Sequence, residues 1–205
     1  MGNDLHIAGQ VFTAPPTPNQ LEEFSAQAKS GEITGASLEW FLRGGGKQAN
    51  LLRPFLADRR LTIGACDGSE TLAKASDVFV KIDPAFKRRN IARSGPATRE
   101  TPIFVFTWAR NASMVRAFDS LTFDSRQLCF TQAQIKAFAR KYLRLFFQKN
   151  GQNIHFLFSS NDHFFVATVT FSVVEGGLGV YMCPFEQSGI KDAKNRPRLV
   201  VPQPI

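Results

Sequence analysis

The chain has 205 residues, of which 43% are hydrophobic and 20% charged, so it can bury a core and is not generally disordered. Its apolar runs are shorter than the roughly 18 residues of a membrane helix, and its three cysteines form no CxxC pair, which argues against a disulfide framework or a structural zinc site. The formal charge of +8 is uneven: residues 1–40 carry one base and five acids, −4, and residues 41–205 carry 24 bases and 12 acids, +12.

The N-terminal segment predicts two short helices. Thr17 is a good helix cap and Pro18 suits a first helical position, so the first helix should run from there to Ser30. A second helix is expected over residues 36–43, before the three glycines at 44–46. We therefore predict an acidic helical hairpin that ends in a hinge.

This charge division also predicts the domain organisation. Residues 1–46 form the acidic hairpin and hinge, and residues 47–205 form a basic α+β domain. Asp4 stands where a secretory signal peptide would be basic, and no apolar segment follows it, so we expect a cytoplasmic protein with no membrane association.

The first half of the main domain predicts an alternation of strands and helices. Residues 81–101 are basic, contain proline and show no periodicity, which is typical of a loop. The expected elements around this loop are a strand over Leu61–Ala65, a helix over Ser69–Val80, a strand over Pro102–Trp108 and a helix after Asn111.

The most regular predicted element is a helix over Thr131–Lys149. Thr131 and Gln134 fit a capping box, and apolar side chains recur at helical spacing. Four strands should follow, over Asn153–Ser159, His163–Val174, Leu178–Pro184 and Arg198–Pro202. The predicted fold is thus α+β, with a long amphipathic helix packed on a C-terminal antiparallel sheet.

The first two of these strands are separated by Ser-Ser-Asn-Asp, a hairpin signal. A symmetric turn of four residues would pair Phe158 with His163. His155 and His163 would then point to opposite faces and could not share a metal or a catalytic site.

The long helix carries the main candidate binding surface. Its bases recur every four residues, and no acid occurs from Ser125 to Asn161, although a solvated face normally mixes charges. These bases could contact the phosphates of DNA or RNA, or they could pair with acids of the N-terminal hairpin. The candidate residues are Lys136, Arg140, Lys141 and Arg144.

Residues 81–99 form the second candidate surface, because this stretch contains six basic residues and one acidic residue. A basic loop can follow a phosphate backbone, and Phe86 could stack on a base, or the loop could fold with Phe86 inward. The candidate residues are Lys87, Arg88, Arg89 and Arg93.

Catalytic and cofactor motifs are not recognisable. The Gly-Gly-Gly-Lys-Gln segment at 44–48 fails as a phosphate loop, because Phe41 replaces an obligatory glycine and Gln48 replaces the Ser or Thr. Ser69 and Thr71 follow a turn that could present backbone N–H groups to an anion. However, Asp67 and Glu70 are typical capping residues for the N-terminus of the predicted helix, which favours ordinary helix capping. We expect no catalytic residue, metal ligand or cofactor site.

Several short motifs resemble those of an uncharacterised bacterial protein family. They are Leu-Cys-Phe-Thr-Gln-Ala-Gln-Ile at 128–135, before the long helix, and Phe-Phe-Val-Ala at 164–167. The resemblance covers roughly residues 60–200 and implies no known activity. From the charge pattern we expect a nucleic-acid-binding protein, with a protein-interaction or regulatory module as the alternative and an enzyme without a readable motif as a third class.

Overall fold

The computed structural model describes residues 18–30, 51–55, 61–88, 91, 93–122, 124–146 and 153–203. Helix α1, Pro18–Ser30, has the predicted bounds. The second predicted hairpin helix and the glycine hinge lie outside these ranges, so the division into two domains stays a prediction. No helix within the ranges is long and apolar enough to cross a membrane.

Most of the described chain is β-sheet. Three further helices are short: α2, Ala85–Arg88; α3, Met114–Asp119; and α4, Gln132–Lys141. The strands in chain order are β1, Leu52–Pro54; β2, Leu61–Ile63; β3, Phe79–Ile82; β4, Thr101–Trp108; β5, Ala112–Ser113; β6, Cys129–Phe130; β7, Ile154–Ser160; β8, His163–Ser172; β9, Gly177–Pro184; β10, Ile190–Lys191; and β11, Arg198–Pro202.

Nine of these strands form one mixed sheet in the order β1-β4-β11-β7-β8-β9-β3, with β2 also paired to β4 and β6 to β7. β7 is parallel to both β11 and β6, and β3 is parallel to β9. The predicted fold class is therefore wrong: the chain is mainly a large mixed sheet, and not a long helix on a C-terminal antiparallel sheet. Parallel pairing joins segments that are distant along the chain, so local periodicity did not indicate it.

The predicted long helix begins as expected but ends early. The Thr131 hydroxyl accepts from the Gln134 amide, and the Gln134 side chain accepts from the Thr131 amide, which completes a capping box. Helix α4 ends before Tyr142, whose hydroxyl donates to the Thr62 carbonyl at 2.8 Å and accepts from the Thr62 amide at 3.0 Å. This contact with β2 competes with further α-helix, and the chain continues as a 3-10 turn over Leu143–Phe146.

The helix predicted over Ser69–Val80 is also wrong. A 3-10 turn over Leu72–Lys74 and strand β3 occupy this segment. The amide of Leu72 donates to the side-chain oxygen of Gln132, and Phe79 is buried opposite Leu178 of β9. Tertiary pairing thus overrides the local helical pattern, and β3 and α2 also interrupt the predicted loop over 81–101.

The β7–β8 hairpin has a shorter turn than the sequence predicts. Asn161 and Asp162 have φ values of 51° and 59°, so these two residues alone make the turn. Phe158 consequently pairs with Phe165 instead of His163. A shift of two residues preserves the side-chain faces, because side chains alternate with a period of two.

Both faces of the sheet are covered. Helix α4 packs on one face, where the Phe138 and Phe156 rings meet edge to face with centroids 5.0 Å apart. Helix α3 belongs to a second cluster that includes Phe118, Trp108 and Leu157. Both faces of the sheet therefore carry a packed layer, while Phe104 of the interior strand β4 is 44% exposed.

Candidate anion-binding pocket

A pocket of about 370 Å³ lies where β1, the end of β4 and the start of β11 adjoin. This volume is near the lower end of the usual range for small-molecule sites. Three arginines, one threonine and three apolar residues line it: Arg53, Phe55, Thr107, Trp108, Ala193, Arg196 and Arg198.

Strand pairing places two of these arginines side by side across a threonine. Thr107 of β4 is the direct partner of Arg53 on β1 and of Arg198 on β11. Directly opposed residues point to the same face of a sheet, with Cβ atoms about 5 Å apart. The short Thr107 side chain, whose hydroxyl donates to the Pro197 carbonyl at 3.3 Å, leaves space between the two longer side chains.

Arg198 is the most unusual residue of the pocket because its side chain is fully buried and, among the described residues, has no acidic partner. Its Nη1 donates to the Leu145 carbonyl at 2.7 Å, and its guanidinium lies 3.8 Å from the centre of the Phe55 ring. Its Nε and Nη2 make no hydrogen bond within the described part of the chain. Burial lowers the pKa of Arg198 to about 10, so the group is still charged at neutral pH.

The two unused donors of Arg198 form a binding edge. In a guanidinium group, the Nε–H and Nη2–H bonds point the same way, and their spacing matches two oxygens of a carboxylate or phosphate. Nη1, on the other side, is already used by the Leu145 carbonyl. The side chain is therefore fixed by one donor, and the opposite edge of its guanidinium makes no hydrogen bond to a described residue.

The other two arginines add positive charge at the exposed rim. Arg53 is exposed on β1, and Arg196 is exposed at the end of the 3-10 turn Ala193–Asn195, with a left-handed φ of 45°. Asp192 is close in sequence, but its carboxylate accepts from the Lys194 amide. The described lining thus contains three cations and no carboxylate.

The wall formed by Trp108 is uncharged. The indole ring meets His155 edge to face at 5.8 Å, and His155 Nδ1 lies 3.0 Å from the Thr168 hydroxyl. Burial, with a smaller effect of the charge on Lys191, lowers the pKa of His155 to about 3, so its imidazole is neutral. Trp108 Nε1 and His155 Nε2 are both buried without a hydrogen-bond partner.

The predicted basic helix face is largely engaged within the chain. Lys136 is buried and pairs with Glu70 and with Asp77, the latter at 3.0 Å, while Arg140 lies 2.6 Å from Asp77. Burial opposes the charge on Lys136, but its hydrogen bonds to the two carboxylates outweigh this effect and raise its pKa. The acids that are missing from the local sequence therefore come from the segment before β3.

The remaining predicted residues are dispersed around α4. Lys141 donates to the Thr62 carbonyl at 2.7 Å, whereas Arg144 is exposed beyond the end of the helix. Lys87 on α2 and Arg93 are exposed, Arg88 is the last residue of α2, and Arg89 lies outside the described residues.

The second basic stretch is anchored at the other end of the helix. The Gln132 side-chain amide donates to the Ile91 carbonyl at 2.7 Å, and Gln132 is the first residue of α4. Phe86 is fully buried and stacks on Phe158, so it is not exposed to a nucleic-acid base. The helix is about 15 Å long, so Arg144 and this stretch lie at opposite ends of it.

Sequence reasoning did not identify the three arginines of the pocket. One usable signal was Arg198, which shares a strand face with Val200 because side chains alternate along a strand. Val200 is buried in the core, so an arginine two residues earlier must also point inward. The contributions of Arg53 and Arg196 depend on strand order and offered no such signal.

Other types of site find little support in the part of the chain that the structure describes. That part contains no group of three or more His, Cys, Asp or Glu side chains able to hold a metal ion. Cys66, Cys129 and Cys183 are free thiols, and burial raises the pKa of Cys129 to about 12, which disfavours a reactive thiolate.

Comparisons with known proteins do not identify a relative. No protein-family model matches the chain, and neither the curated proteins nor the solved structures provide a match. The functional argument therefore depends on the chemistry of the pocket.

Proposed function

We propose that this protein binds a small anionic ligand between Arg53, Arg196 and Arg198. The observation that carries the proposal is the buried guanidinium of Arg198, whose Nε and Nη2 have no hydrogen-bond partner among the residues that the structure describes. A buried charge without a counter-ion is costly, and buried donors are normally satisfied. A ligand with two oxygens on one atom would supply both the counter-charge and the two acceptors.

The two rim arginines support the same proposal. They are exposed, so water can solvate them in the free protein, and they can close on a ligand without a large rearrangement. A positively charged pocket with low-dielectric walls also raises the local concentration of anions. The apolar ring of Phe55 would contact the uncharged part of the ligand.

Calorimetric titration at low ionic strength tests this proposal. The ligands are phenyl phosphate, phenyl sulfate and benzoate, and the variant is Arg53→Gln. Arg99→Gln is the matched control, because Arg99 is exposed near the opposite end of β4, about 20 Å away. We expect at least one ligand to bind, about tenfold more weakly in Arg53→Gln and equally well in the control. Failure of all three ligands to bind would refute the proposal.

Nucleic-acid binding by the basic helix face and loop is a second proposal, favoured by the exposure of Lys87, Arg93 and Arg144. The ion pairs of Lys136 and Arg140 reduce the charge that α4 can offer to phosphates. The test is fluorescence anisotropy with labelled DNA and RNA at two salt concentrations, using a variant with the three exposed bases changed to Gln. Binding that is insensitive to salt and to these changes would contradict the proposal.

A protein-interaction module is the remaining alternative. Val173 and Val174 at the β8–β9 turn are 82% and 98% exposed, which is unusual for adjacent apolar residues. A partner captured by the wild type after nuclease treatment, and lost with Val173→Ser and Val174→Ser together, would support this function. Equal capture by the variant would exclude this turn as the contact.

A further inference from the structure

We infer that the ligand of the arginine pocket is a small phosphate monoester, with a dianionic phosphate group and a compact apolar body. This inference rests on the proposed function and deepens it. Its basis is the juxtaposition of three guanidinium groups, from Arg53, Arg196 and Arg198, with the apolar ring of Phe55.

The charge of the pocket favours a dianion. The lining carries three positive charges, and its described residues include no acid. A carboxylate or a sulfate ester would neutralise one of them, whereas a phosphate monoester carries close to two negative charges at pH 7. The dianion therefore leaves less uncompensated positive charge around Arg198.

The number of donors favours a phosphate for a separate reason. The Nε–H and Nη2–H edge of Arg198 can engage two oxygens of one ligand atom. A carboxylate has no further oxygen, so Arg53 and Arg196 would have to share those two. A phosphate monoester has a third terminal oxygen, which the rim arginines can bind.

The size and walls of the pocket limit the rest of the ligand. The volume of about 370 Å³ is near the lower end of the usual range for small-molecule sites. A phosphate group with one six-membered ring fits this space. Phe55 and Ala193 provide apolar contacts.

Three ligands of similar shape separate this inference from the proposed function. Phenyl phosphate and phenyl sulfate differ mainly in charge, and benzoate has a planar group with two oxygens. We expect phenyl phosphate to bind at least tenfold more tightly than either at pH 7.5. Its apparent affinity should fall about fourfold at pH 5.5, because the second phosphate pKa is about 6, while the affinity for phenyl sulfate should not change.

The protein itself contributes little to this pH dependence. Arg198 keeps its charge at both pH values, because its pKa is about 10, and His155, whose pKa is about 3, is neutral at both. A change in affinity over this range therefore reports the ionisation of the ligand.

Each outcome of the titration is decisive. Equal affinity for the three ligands, with loss in Arg53→Gln, would overturn the phosphate inference but keep the anion pocket. If inorganic phosphate bound as tightly as phenyl phosphate, the inference that the ligand has an apolar body would be overturned. Phenyl phosphate binding that is unchanged in Arg53→Gln and Arg196→Gly would assign it to another surface and overturn the inference, and no binding of any ligand would overturn both proposals.

Discussion

Replacement of Arg198 by methionine distinguishes a structural arginine from a ligand-binding one. Burial lowers the pKa of Arg198 from 12.5 to about 10, which at about 1.4 kcal/mol for each factor of ten is a cost of roughly 3 kcal/mol for the charged form. The hydrogen bond to the Leu145 carbonyl returns about 1.5–3 kcal/mol, and the Phe55 ring about 2 kcal/mol. These contributions nearly cancel.

We therefore expect Arg198→Met to change the free energy of unfolding by less than about 2 kcal/mol. Methionine retains most of the apolar stem and can fill irregular space. Urea denaturation at pH 7.5, followed by tryptophan fluorescence, measures the change. Arg99→Met is the control, because the same substitution at an exposed site should stay within about 0.5 kcal/mol of the wild type.

Phenyl phosphate should stabilise the wild type but not the Arg198→Met variant. Phenyl phosphate at 100 times its Kd should stabilise the wild type by about 2.7 kcal/mol, which for a chain of this length raises the Tm by roughly 5–10 °C. Arg198→Met should show no such rise. A loss of stability above about 4 kcal/mol would mean that Arg198 is needed for folding, and the argument from its unused donors would fail.

Four further predictions follow from individual contacts. Phe138→Ala should cost about 3–5 kcal/mol in urea denaturation, because the ring is fully buried; a loss below about 1 kcal/mol would contradict this packing. The low pKa of His155 should cost the wild type about 1.4 kcal/mol of stability per pH unit as the pH falls from about 6.5 towards 3, because only the unfolded chain takes up the proton. His155→Gln should lack this contribution, and identical profiles would argue against a neutral buried imidazole. Arg196→Gly should leave stability unchanged or raise it by up to about 1 kcal/mol, because glycine tolerates the left-handed φ, while phenyl phosphate binding weakens; parallel losses of both would contradict a ligand role. If α4 contacts nucleic acid, Asp77→Asn should strengthen binding in an anisotropy assay by releasing Arg140, and unchanged binding would remove that residue from the proposed surface.

The parts of the fold that could be predicted from the sequence are those with local signals. Strands β7, β8 and β9 lie within two residues of their predicted bounds, because alternating apolar residues and turn residues occur within each segment. The start of α4 is equally local, since Thr131 and Gln134 are three residues apart.

Strand order could not be predicted in this way. β11 pairs with β7 and β4, which lie about 40 and 90 residues earlier, and no short-range pattern encodes either contact. The end of α4 has the same explanation, because Thr62, the partner of Tyr142, belongs to a strand 80 residues away. Where a tertiary contact decides the structure, a helical pattern can continue in the sequence after the helix has ended.

The candidate site is more dependent on tertiary structure than the fold is. Arg53, Thr107 and Arg198 become neighbours only because β4 lies between β1 and β11. Phe55 then covers the guanidinium of Arg198, although these two residues are far apart in sequence. A sequence can mark Arg198 as an inward-facing charge, but it does not indicate that two other arginines converge on it.

The charge pattern shows why unpaired charge is a better guide to function than total charge. The absence of acids from 125–161 indicated that the bases of α4 need partners, and the structure places Glu70 and Asp77, about 60 residues away, against Lys136 and Arg140. The positive charges of Lys136 and Arg140 are therefore compensated by ion pairs within the folded chain. Arg198 differs because, among the described residues, its contacts provide one carbonyl and one aromatic ring but no opposite charge. Under the proposed function, a bound anion would supply this opposite charge.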